Sequence, residues 1–179
     1  MLCHSPQERL FIEGGWRDGL LPPIEALRAA ERAPTLAEYR AFSAAVAAAG
    51  DDGAFEIPTA RSRWSDALAA LDRVTFAAWL DTHGFAAPAL RWYLDYCCRD
   101  DYGAGAAQVS AWAGLHYFAS RHGFRAPGDG PPERDGVLTW PEGNAWLAER
   151  LAAPLGDRLH TGQAVTRIAE LRGGVEVDA

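Results

Sequence analysis

The chain has 179 residues, with 17 basic residues against 24 acidic ones and a formal net charge of −7 when its five histidines are neutral. Apolar residues make up 49% and charged residues 23%, a globular balance that excludes global disorder. The acidic excess repels phosphate and no basic stripe offsets it, which argues against a nucleic-acid scaffold.

Residues 1–34 read as an irregular N-terminal segment with one short strand. Leu10-Phe11-Ile12-Glu13 is the strand, Gly14-Gly15 its tight turn, and Leu20-Leu21-Pro22-Pro23 an extended break. Thr35, with Glu38 three residues on, forms a capping-box pattern that predicts a helix start. Leu36, Tyr39, Phe42, Ala45 and Val46 then recur at helical spacing to about Ala49. Further helices are predicted over Ser62 to Asp72, Thr75 to His83, Pro88 to about Arg99, and Ala106 to Arg121. A Gly/Pro-rich loop over 123–136 is long for a compact domain and is expected to move. Val137 to Trp140 is a short strand candidate, followed by a helix from about Ala145 to Ala153. Ala164 to Leu171 and Val175 to Val177 alternate apolar and polar residues around Arg172-Gly173-Gly174, which predicts a hairpin. The fold class is therefore α+β: a central helical cluster with a small sheet or hairpin formed by the chain ends. Its divisions are 1–34, a helical region over 35–136, and a strand–helix–hairpin segment over 137–179.

No apolar run reaches the roughly 18 residues of a membrane span. The N-terminus has no basic n-region followed by an apolar stretch, so no signal peptide is read. The compartment stays open, with the cytoplasm slightly favoured. All 17 basic residues are arginine, which removes Schiff-base and P-loop lysine chemistry from this chain. Three cysteines, two of them adjacent at Cys97 and Cys98, make a poor disulfide framework.

Several clusters could carry chemistry. Gly103-Ala104-Gly105-Ala106-Ala107-Gln108 approaches a dinucleotide fingerprint, but Gln108 takes the third glycine position and the preceding residues are not a strand. The plain alternative is a flexible helix start. Asp95, Asp100 and Asp101 around Arg99 offer paired carboxylates for acid–base work, or a helix junction with local ion pairs. Cys97-Cys98 with His116 could form a nucleophile or metal site, although no C-x-x-C spacing exists and structural roles fit these residues better. Ser110 and Ser120 lie in no G-x-S-x-G context. Trp64, Trp79, Trp92, Trp112, Trp140, Trp146, Tyr93, Tyr96, Tyr117 and Phe118 fall mostly on predicted helices or at their ends, where they build a core or line a flat apolar cavity for an aromatic or amine substrate.

The stretches Val137 to Leu151, Leu159 to Ile168 and Gly173 to Val177 resemble the flavin-containing amine oxidoreductase superfamily. Asp100-Asp101-Tyr102, Gln108 to Trp112 and Tyr117-Phe118 are similar to its substrate-domain helices. The resemblance covers most of residues 75–179. It implies the substrate-domain part of an FAD-dependent amine-oxidase-like fold. By match to the motif, the backbone of Val165 would meet the adenine of FAD. Tyr96, Cys97, Leu138 and Trp140 would be substrate-pocket positions. No catalytic residue and no metal ligand is assigned. The N-terminal dinucleotide fingerprint, the C-terminal FAD segment and the flavin-proximal lysine of that family have no counterpart here. The chain is therefore expected to be an internal, substrate-binding portion of such an enzyme, inactive alone. FAD would belong to the parent protein and would not be bound by this chain by itself. The expected partners are the remainder of the parent flavoprotein and a small-molecule amine or other apolar substrate. No nucleic acid and no membrane span are expected, and exposed domain-interface surface would allow self-association. The alternative is a stand-alone helical binding or interaction module without cofactor, whose aromatics are core.

Overall fold

A computed structural model of the chain describes residues 2–3, 8–50, 53–121, 123–129, 137–138 and 141–179. These residues form a mixed α+β structure that divides into two compact units. One comprises the described residues of 6–133. The other comprises those of 1–5 and 134–179.

The larger unit opens with a hairpin, β2 (Arg9–Ile12) and β3 (Gly15–Asp18); β1 (Leu2–Cys3) precedes it in the chain and belongs to the smaller unit. Ile12 pairs with Gly15, so Glu13 and Gly14 are the two turn residues, both at positive φ (50° and 74°). This conformation matches the twist of the flanking strands, and glycine adopts it without strain. The turn thus falls one residue earlier than the Gly14-Gly15 expected from sequence.

Helix α1 runs Ala29–Gly50 and buries Thr35, Tyr39, Phe42 and Val46, a stripe at four-three-four spacing. It begins six residues before the predicted start. Pro34 sits in its second turn, where a proline removes one amide donor without stopping a helix built mainly from alanine, arginine and glutamate. Thr35 is therefore interior, and Glu38 is free for another partner.

Helices α2 (Asp66–Asp72), α3 (Phe76–Thr82) and α5 (Ala111–Ala119) are capped by Ser65, Thr75 and Ser110, whose hydroxyls accept from Leu68 N, Ala78 N and Ala113 N. α4 (Pro88–Tyr102) starts on a proline and ends at Gly103 in the left-handed region, φ 66°. α5 starts five residues later than the periodicity predicts. The carbonyls of Ala106 and Val109 are taken by Ala77 N and Phe76 N at 2.9 and 2.8 Å, so residues 106–109 serve the start of α3 instead of extending α5.

Phe42 is fully buried and meets Phe85, Phe118 and Phe124 edge-to-face at 5.5, 5.5 and 5.0 Å, with interplanar angles of 87°, 87° and 90°. Phe124 and Ala126 are buried, and Ser43 Oγ donates to the Phe124 carbonyl at 2.8 Å. The first part of the expected mobile loop is therefore anchored in the core. Its residues 130–136 lie outside the described residues.

In the smaller unit β1 pairs antiparallel with β4 (Val137–Leu138). It also holds α6 (Asn144–Ala152) and the hairpin of β5 (Arg167–Leu171) and β6 (Gly174–Asp178). Ile168 pairs with Val177 on one hairpin face. On the opposite face, Arg167 reaches Glu176 and Asp178 at 2.9 and 3.0 Å. Residues 139 and 140 lie outside the described residues.

A Cβ on Gly114 would run into the ring of Phe76, which fixes how closely α5 approaches α3. Gly114→Ala is therefore expected to destabilise the fold by about 1–3 kcal/mol despite its better helix propensity. A lower urea midpoint by circular dichroism, partly restored by adding Phe76→Leu, is the expected result.

Candidate functional site

A cleft of about 650 Å³ opens in the larger unit between the β2 strand, the first half of α1 and the start of α4. On α1 it is lined at positions 30, 31, 34, 35 and 38, which share one helix face. Across it stand Ala86 to Ala89 and Trp92. The cavity exists because these facing positions carry alanine and proline where a leucine or phenylalanine would fill the space.

The rim is aromatic. Phe11 lines the cleft and sits opposite Trp16 in the hairpin, with ring centroids 5.3 Å apart. Trp92 lines it from α4 and stacks on Tyr96 one turn later, at 5.9 Å and 18°. Both Phe11 and Trp92 are exposed, at 58% and 41%. Large aromatics left in water beside an apolar cavity are surface that a ligand would cover.

Polar groups are few and converge. Glu38 Oε2 accepts from Ala87 N at 2.8 Å, so a carboxylate of α1 meets the positive end of α4. Glu31 lies one helical turn toward the N-terminus of α1 from Thr35. Thr35 is 2% exposed yet lines the cleft, and its hydroxyl makes no hydrogen bond among the described residues. Pro34, also lining it, removes the amide that would bond the Ala30 carbonyl, leaving that oxygen to other donors. Tyr39 Oη donates to the Pro22 carbonyl at 2.9 Å and holds the 20–27 segment against α1; burial pushes its phenol well above the ordinary range.

The positions implied by the resemblance are spread over the molecule. Tyr96 is half-buried on α4, against the cleft residue Trp92. Cys97 is 1% exposed, packs into the core and does not line the cleft. Its thiol lies beside the Tyr93 and Tyr117 side chains. Leu138 is in β4 of the smaller unit, paired with Leu2. Trp140 lies outside the described residues. Val165, 56% exposed, precedes β5 in the same smaller unit.

The glycine-rich segment is not a phosphate cradle. Ala106 N donates to Asp95 Oδ1 at 2.8 Å, and a Cβ on Gly105 would lie 2.6 Å from that oxygen. Gly105 is glycine so that the carboxylate of α4 can approach. No strand precedes the segment; it follows α4 directly. This segment therefore lacks the strand–turn–helix cradle that holds a pyrophosphate.

The acidic cluster resolves into structural pairs, Asp95 with Arg99 at 3.0 Å and Asp101 with Arg121 at 2.7 Å. His116 Nε2 bonds the Glu56 carbonyl at 3.0 Å and packs against Trp112. Among the described residues no cluster of His, Cys, Asp or Glu could hold a metal ion, and no helix is long and apolar enough to cross a membrane. Comparisons of the chain with protein-family models, curated proteins and solved structures found no match.

Sequence reading missed the cleft because much of its wall is alanine and proline, at Pro22, Ala30, Pro34 and Ala86 to Ala89, which carry no periodic signal. Thr35 and Glu38 were visible, but as a cap.

Burial pushes the Cys97 thiol up to about 11 and the Cys98 thiol to about 12. A raised thiol stays protonated at neutral and mildly alkaline pH and is a poor nucleophile. In a Cys3→Ser background, alkylation of the native protein at pH 8 should be at least about a hundredfold slower than in denaturant. Rapid native labelling at Cys97 would contradict the burial.

Proposed function

We propose that the chain is the substrate-binding portion of an FAD-dependent, amine-oxidase-like oxidoreductase, with the 650 Å³ cleft as its substrate site. The observation that carries this reading is the cleft: an apolar cavity of ligand size, with an exposed aromatic rim and a few convergent polar groups. The sequence resemblance over residues 75–179 adds the reaction class. The glycine-rich turn offers no pyrophosphate cradle, so in this reading the flavin belongs to the rest of the parent protein, and the role of this chain is to bind, orient and exclude water from the substrate. Apolar walls remove the body of the molecule from water. Phe11 and Trp92 fix its plane, and Glu38 and Glu31 favour a cationic or hydrogen-bond-donating head.

The test is a titration followed by tryptophan fluorescence. Phenethylamine should bind, and Trp92→Ala should weaken it about tenfold by removing one wall. The reaction class is tested separately in the coding DNA. A strand followed by G-x-G-x-x-G in the same reading frame upstream is the expected companion. A frame closed directly upstream would overturn the flavoenzyme reading and leave a binding module.

A further inference from the structure

Thr35 combines burial, position and lack of a partner in a way no other polar residue of the cleft does. Its side chain is almost fully enclosed, at 2% exposure. It lines the cavity, and no described residue accepts or donates a hydrogen bond to its hydroxyl. Among the described residues the buried side-chain atom left without a partner is Trp112 Nε1, so the Thr35 hydroxyl keeps access to the cleft, where a ligand can reach it. Glu38, three residues on, faces the same cleft and uses Oε2 on Ala87 N, leaving Oε1 for a second donor. The Ala30 carbonyl one turn earlier lacks its helical donor because residue 34 is proline.

We infer that Thr35 is the specificity-determining residue of the cleft, pairing with Glu38 to hold the single hydrogen-bonding head group of an otherwise apolar ligand. This rests on the reading of the cleft as the substrate site. The hydroxyl both donates and accepts, whereas the carboxylate only accepts. The complementary head therefore carries at least one donor: an amine, alcohol or amide N–H on a hydrocarbon body. A cleft built this way rejects the analogue that lacks the head, because that analogue leaves Thr35 and Glu38 unpaired under an apolar cover.

Three matched probes separate the contributions: phenethylamine, 2-phenylethanol and ethylbenzene. Wild-type protein should bind the first two more tightly than the third. Thr35→Val should weaken the amine and the alcohol about tenfold each and leave ethylbenzene unchanged. Thr35→Ser should restore the polar probes. Equal affinities of Thr35→Val and wild type for the polar probes would overturn the role of Thr35 while leaving the cleft intact. Failure of all three probes to bind wild-type protein would remove both this inference and the substrate-cleft reading beneath it.

Discussion

The larger unit depends on the placement of one ring. Phe42 is enclosed on α1 and meets Phe85, Phe118 and Phe124 edge-to-face, with Phe76 tilted at 6.3 Å. These partners come from α3, the α3–α4 connection, α5 and the segment after α5. A positive ring edge against a negative ring face prefers such angles, so the cluster fixes orientations as well as burying area. Removing that ring would leave a cavity shared by four segments, and the cost of such a cavity grows with its volume. The close approach at Gly114 and the Ser43 bond to the Phe124 carbonyl both follow from the same centre.

The cleft lies on the other end of this arrangement. The aromatic residues of α1 come late in the helix, at Tyr39 and Phe42, while its first turns carry alanine, proline and threonine. α4 likewise starts on Ala87, Pro88 and Ala89 and places its leucines further along. Small residues at these facing positions leave the cleft open, and Leu10, Phe11 and Ile12 of β2 line it beside them. Glu38 spans the cleft through Ala87 N, so its walls are held by a hydrogen bond where hydrophobic contact runs out. A separation between a rigid, dense core and a roomy polar-tipped cavity is what a binding site on a stable scaffold requires.

Much of this was legible in the sequence. Helix α3 with its Thr75 cap, the start of α4 at Pro88, and the β5–β6 hairpin around Gly173 follow from local signals that tertiary contacts do not oppose. The start of α5 was not, because Ala106 and Val109 satisfy amides of α3, a partner distant in sequence. The start of α1 was misplaced because Thr35 and Glu38 match a capping box in spacing, and only the packing shows that the helix continues through Pro34. The residue types were informative and the assignment was not: a threonine and a glutamate three apart suit a helix start and a two-point polar anchor equally. The cleft itself is a pattern of small residues, and smallness becomes meaningful only when the facing surface is known.

The Asp95 contact with Ala106 N bears on how this chain would meet nucleotides and other phosphate esters. A phosphate arriving at the glycine-rich turn would compete with a carboxylate tethered through α4 to the same unit. Tethering gives that carboxylate an effective concentration on the order of millimolar or above. An incoming anion would have to displace this contact before it could use the Ala106 amide. The turn is thus self-liganded: a carboxylate of its own unit occupies the amide that its composition would offer to a phosphate.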